Sequence, residues 1–253
     1  MKVDGRDLAE YALRLGDDAL VLSQRLCAWI THTHSIEEDL AFSNISLDLL
    51  GHARTLLTFS GKFDGTERDE DDFAFNRNEC DFRNALLFEQ ENGDFATTIA
   101  RQLAYSLYIS LVYMELTKTV NPSLSAFAVK AVNDVQYHRM HAIQWTIRLG
   151  RGTDISSDRM QNGLNVIWPY TAELFASDNL VDRLATARHG VDPALLRTKW
   201  EQEIVQVITD ANLTLPTASW QAKGGRDGNH TESFGLLISE LQSVHRQYPG
   251  GAW

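Results

Sequence analysis

The chain has 253 residues, with 34 Asp or Glu against 23 Lys or Arg, a formal charge of −11 at pH 7 and no basic run. That excludes the clustered cationic footprint that nucleic-acid phosphates or an anionic membrane surface require. Two cysteines exclude a disulfide framework, no apolar stretch reaches bilayer length, and the opening Met1–Asp7 lacks the apolar core of a leader, so the expected setting is the cytoplasm.

In chain order, Leu15, Ala19, Leu22, Leu26 and Trp29 recur at steps of four and three and predict the inward face of a first long helix. Phe42, Ile45, Leu49, His52, Leu56 and Phe59 repeat the pattern in a second helix, with one polar member. The acidic run Asp64–Asp72 then reads as a solvated linker. A third helix is predicted from about Phe95 to Val120, where Asn121-Pro122 stops it. The fourth runs to about Leu149, with Ala128, Ala131, Val135, His138, Ala142, Trp145 and Leu149 inward and Gly150-Arg-Gly152 as its C-terminal signal. Accessory helices follow over about Ser157–Phe175, Pro193–Ile208 and Glu232–Gln247, with Thr231 as an N-cap and Gly224–Thr231 as a flexible connection.

Two helix pairs joined by a long crossover predict an all-α chain: a ferritin-like four-helix bundle with accessory C-terminal helices. The expected organisation is a single domain over 1–253, with its core over about 5–150 and the accessory part over about 154–253.

Two of these helices carry the outline of a carboxylate-bridged di-metal site. Such a bundle uses Glu-x-x-His on two helices and a single carboxylate on each of the other two, because shared anionic oxygens must hold two mutually repelling dications. Asp48 precedes His52 by four residues and Asp134 precedes His138 by four, and 134 − 48 and 138 − 52 both equal 86. The bridging positions three before each His are Leu49 and Val135, and the single-carboxylate positions on the first and third helices are Ala19 and Ser106. None of the four is a carboxylate. A lone Zn²⁺ held by His52, His138 and one Asp is the alternative, giving a stand-alone enzyme with a remodelled mono-metal site. Against it, each Asp lies about 100° around the helix from its inward neighbour. The plainer reading makes the two histidines neutral core residues that hydrogen-bond Asp48 and Asp134. Arg101, Arg139 and Arg148 are helix-borne cations suited to salt bridges.

The segments Tyr11–Arg25, Asn44–Arg54, Phe88–Arg101, Trp168–Phe175 and Gly228–Gly235 together resemble the structural, non-catalytic subunits of phenylacetyl-CoA 1,2-epoxidase complexes, over nearly the whole chain. The resemblance implies a multicomponent monooxygenase of phenylacetate breakdown. In it a homologous catalytic oxygenase subunit holds a di-iron centre and epoxidises phenylacetyl-CoA with O₂. It further implies a flavin and iron–sulfur reductase and a small bridging subunit, and it leaves open whether the chain forms a homodimer when alone. Carried over residue by residue, the catalytic motifs fall on Asp48, Leu49 and His52 and on Asp134, Val135 and His138, while the single carboxylates fall near Ala19 and Ser106, with Asp18 one residue off. No catalytic, metal-binding or cofactor-binding residue is therefore expected in this chain.

Overall fold

The computed structural model describes residues 3–251, and every regular element among them is helical. The α-helices are α1 (Gly5–Cys27), α2 (Ile36–Phe63), α3 (Glu70–Phe75), α4 (Phe95–Leu116) and α5 (Pro122–Gly150), then α6 (Asp154–Ile167), α7 (Asn179–Thr186), α8 (Arg197–Asp210), α9 (Glu232–Leu241) and α10 (Ser243–Gln247). They fall into two compact units, one formed by the described residues of Lys2–Glu91 and Lys223–Trp253, the other by Asn92–Ala222. The segment after Ala222 thus groups with α1–α3, not with α6–α8.

In the first unit, α1 and α2 pack antiparallel along their length. Ser23 Oγ donates to the Ser46 carbonyl at 2.9 Å, and Ser60 Oγ donates to the Ala9 carbonyl at 3.0 Å, so small polar residues let the two backbones approach. Asp4 caps α1 by accepting from the Arg6 amide, and Ser35 caps α2 by accepting from the Glu38 amide. Helix α1 stops at Cys27, so Trp29, expected on its inward stripe, lies in the following turn, where Thr31 adopts a left-handed φ of 77°. The acidic run is only partly linker. Asp69 and Asp72 close a capping box at the start of α3, whose Phe73 is buried beneath it.

In the second unit, α4 and α5 are also antiparallel, with Phe95 edge-on to Trp145 at 4.9 Å near one end and Tyr113 edge-on to Phe127 at 5.2 Å near the other. Asn121 caps α5 with Pro122 at its first position. Helix α4 ends at Leu116, four residues before the expected Val120, because Thr119 Oγ1 and the Val120 amide both turn away to donate to the Arg188 carbonyl. The accessory segment over 157–175 is helical only to Ile167. Pro169 removes a helical donor, and two 3₁₀ turns carry the chain to Phe175. Helix α7 was not expected; it is short, and Asp178 caps it. Trp200 of α8 fixes that helix to α4 by donating Nε1–H to the Ala104 carbonyl at 3.0 Å.

Helix α6 crosses α4 where a side chain would not fit. A Cβ on Gly163 would stand 2.9 Å from both the Cα and the amide nitrogen of Thr97, and neither backbone atom can swing aside. Gly163→Ala gains up to about 1 kcal/mol of helix propensity but overpacks this crossing, which costs about 1–3 kcal/mol or more. A net loss of stability is expected, measured as a lower midpoint in urea unfolding; an unchanged or higher midpoint would show that the two helices separate easily.

Candidate metal centre

Each unit contributes one half of the motif pattern, and each half can be built separately. In the first, Leu49 and His52 sit three residues apart on the inward face of α2, both buried, and Ala19 of α1 is buried with them. In the second, Val135 and His138 occupy the same positions on α5, and Ser106 of α4 is buried, its hydroxyl turned to its own helix at the Leu103 carbonyl, 3.4 Å away. Asp48 and Asp134 are half-buried, flanking the inward rows. The Tyr137 ring lies beside both His138 and His141, with ring centroids 6.4 and 6.2 Å apart.

The fold class implies a pair of iron ions, and the donor chemistry present does not fit them. At the Glu-x-x-His and single-carboxylate positions each half offers one imidazole and, in place of a bridging and a terminal carboxylate, an aliphatic side chain with an alanine or a serine. Among the described residues, no three His, Cys, Asp or Glu side chains come together as a set that could hold a metal ion. Two dications without shared anionic oxygens repel each other, and neither half supplies such oxygens at these positions.

Carboxylates do lie close to Ala19 in sequence, but they are committed elsewhere. Asp17 is fully buried and bonded to Arg77 through both oxygens, one at 2.9 Å, and it also accepts from the Arg83 amide at 2.8 Å. Asp18, equally buried, takes a two-pronged contact from Arg226 at 2.7 and 2.8 Å and the Ala85 amide at 2.9 Å. Glu89 is buried as well, bonded to Asn84, His230 and both the amide and hydroxyl of Thr231. Thr231 thus starts α9 without capping it by its own side chain, and Glu89 supplies the anion at that helix N-terminus instead.

These bonds also correct the expected flexible connection at Gly224–Thr231. Gly224 and Gly228 take left-handed φ of 117° and 79°, forming a tight 3₁₀ turn that aims Arg226 at Asp18. Arg226 donates to the Arg83 carbonyl as well, at 2.7 Å, and the loop is pinned. No signal in the sequence pairs residues 18 and 226, which are 208 positions apart. The three helix-borne arginines also have internal uses: Arg139 pairs with Glu203 at 3.2 Å, Arg148 lies over the Trp145 ring at 4.6 Å, and Arg101 donates to the Asn92 side chain. Cys27 and Cys80 are free and exposed.

The sequence profile of the family described as "Phenylacetic acid catabolic protein" matches residues 1–253. A relative from Escherichia coli (strain K12), named as one of the subunits of 1,2-phenylacetyl-CoA epoxidase, is 43% identical over 246 residues, covering 97% of this chain and 99% of the relative. Both agree with the resemblance carried by the motifs. No helix among the described residues is long and apolar enough to cross a membrane.

Burial pushes the Asp18 carboxyl up to about 6, against the opposing pull of the Arg226 guanidinium and the Ala85 amide. A carboxyl raised on folding holds its proton longer in the native state, so its contribution is full below pH 4 and declines as pH rises towards 6. The stability difference between wild type and Asp18→Asn is therefore expected to shrink by on the order of 3 kcal/mol between pH 4 and pH 7. Urea unfolding of both proteins across that range checks it, and a difference that stays flat or widens with pH would refute the raised value.

Proposed function

Because the chain belongs to the phenylacetic acid catabolic protein family, whose fold is helical and ferritin-like, we propose that it is the catalytically silent structural subunit of a phenylacetyl-CoA 1,2-epoxidase. In this reading the 253 residues act as one ferritin-like domain in the cytoplasm. They pair with a homologous catalytic subunit that carries the di-iron centre, and keep it folded and soluble. A small bridging subunit and a reductase complete the assembly.

One observation carries the reading: the four positions where an oxygenase bundle needs carboxylates hold Ala19, Leu49, Ser106 and Val135, all fully buried. Burying Leu49 and Val135 stabilises the chain by about 1.5–3 kcal/mol each. A glutamate there without a metal would bring a desolvation cost of several kcal/mol. The replacements suit a protein kept for its shape. The 43% identity to a named epoxidase subunit, over nearly all of both chains, supports the same assignment.

The first test is elemental analysis of the purified chain from iron-supplemented medium, beside co-expression with the catalytic subunit. Well under one metal per chain is expected, together with a catalytic subunit that loses solubility or turnover when this chain is omitted. About two irons per chain, or a catalytic subunit equally soluble and active alone, would overturn the proposal. Leu49→Glu with Val135→Glu should lower the melting temperature without conferring stoichiometric iron, and tight iron binding by that variant would mean the remaining donors are poised for metal.

A further inference from the structure

Helix α2 is apolar on two opposite faces. At about 100° per residue, Phe42, Ile45, Leu49, His52, Leu56 and Phe59 gather on one side, where all are buried. Ile36, Leu40, Leu47 and Leu50 fall within about 80° of arc on the opposite side. There they remain 75%, 60%, 63% and 45% exposed. A helix at the surface of a core needs one apolar stripe, and a second stripe of large aliphatics left in water marks a contact surface. From Ile36 to Leu50 it runs about 21 Å, four turns of a facing helix.

The stripe ends in a hollow. Leu50 borders a groove of about 410 Å³ whose walls include Leu20, Leu57, Phe75 and Leu241, with the Cys27 thiol at its edge. The rim is acidic at both ends. Glu37 and Asp39 stand in the first turn of α2, while Glu70 and Asp71 lie beside the groove. Arg54, the permanent cation on the stripe, and Glu70 offset each other at 2.8 Å, which leaves Asp71 as the net charge at that end.

We infer that this face of α2 is the docking surface for a helix of the catalytic partner subunit, a conclusion that rests on the structural-subunit reading above. The partner helix lays an aliphatic row along Ile36 to Leu50, sets one large apolar side chain into the groove, and carries Lys or Arg at its ends. Charge selects that occupant. Two copies of this chain meeting about a twofold axis would bring the acidic ends of the same stripe together, on molecules that each carry −11. A partner with basic flanks removes that repulsion, and the groove gives its apolar side chain the enclosed pocket that interface anchors occupy.

The test uses the full-length chain with the catalytic subunit and two readouts. Leu47→Lys with Leu50→Lys should weaken the complex at least about thirtyfold. Its circular dichroism should stay unchanged and its melting should shift only slightly, since Leu47 is mostly exposed and Leu50 lies half in water at the groove. In a Cys80→Ser background, alkylation of Cys27 by N-ethylmaleimide, followed by mass spectrometry, should slow about tenfold or more once the partner is bound. Should the lysine pair unfold the chain, Leu47→Ala with Leu50→Ala reports the same loss on a smaller scale. Equal binding by the variants, or an unchanged Cys27 rate in the complex, overturns the surface and leaves the structural-partner reading standing. Failure of the wild-type chain to bind the catalytic subunit overturns both. A homodimer of the wild type that the lysine pair dissolves would make the occupant a second copy and refute the basic partner.

Discussion

A carboxylate taken out of water must meet a cation or a sufficient set of donors, and this requirement organises the chain. Asp17, Asp18 and Glu89 are buried in the first unit, and each is matched: by Arg77, by Arg226, and by His230 with Thr231. Removing one partner of such a pair commonly costs about 3–5 kcal/mol, because the other charge stays buried. The consequence is architectural. The turn at Gly224–Gly228 and the segment around Arg83–Glu89 are held to α1 by these acids, although their own sequences are glycine-rich or irregular. At Ala19, Leu49, Ser106 and Val135 the same requirement is met by having no carboxylate at all.

The two solutions divide the buried polar chemistry sharply. A bundle built for two metal ions must hold several carboxylates inward and relies on the ions to neutralise them. Here the inward acids of α1 sit one and two residues before Ala19 and are neutralised by arginine, which is always charged and binds a carboxylate with two parallel hydrogen bonds. Such a core is complete as the chain folds, independent of metal supply. That independence suits the structural role proposed above.

Periodic features were legible in the sequence and paired ones were not. The inward rows of α2 and α5 could be read because a period of 3.6 residues shows in the spacing of Phe42, Ile45, Leu49 and His52 or of Ala128, Ala131, Val135 and His138. So too was the Asn121-Pro122 start of α5. The extent of α1 was overrun at Trp29, since a hydrophobic residue in register does not reveal that the backbone has already turned at Ala28. The ends of α4 and α6 depended on the Arg188 carbonyl and on Pro169; of these only the proline is visible locally. The loop at Gly224–Thr231 has the composition of a flexible connection, and it is fixed by Asp18, 208 positions away, which nothing local announces.

The outward face of α2 belongs to both groups. Its spacing of four, seven and three residues from Ile36 to Leu50 is as regular as the inward row, yet the two rows together blur the amphipathic contrast by which a helix is ordinarily oriented. Only burial separates them: Leu49 is fully enclosed while its neighbour Leu50 is half in water. Selection for folding alone would replace exposed aliphatics at 36, 40, 47 and 50 at little cost in stability, since surface positions contribute within about 0.5 kcal/mol, and would gain solubility by doing so. Four such residues in one row, beside a groove and between acidic ends, are therefore better explained by contact than by folding. On that view α2 serves two interfaces at once, packing α1 with one face and meeting a partner with the other. Its inner face, with Leu49 where a di-metal bundle carries a bridging glutamate, packs without a metal, and in the proposed complex its outer face presents the leucines that meet the partner.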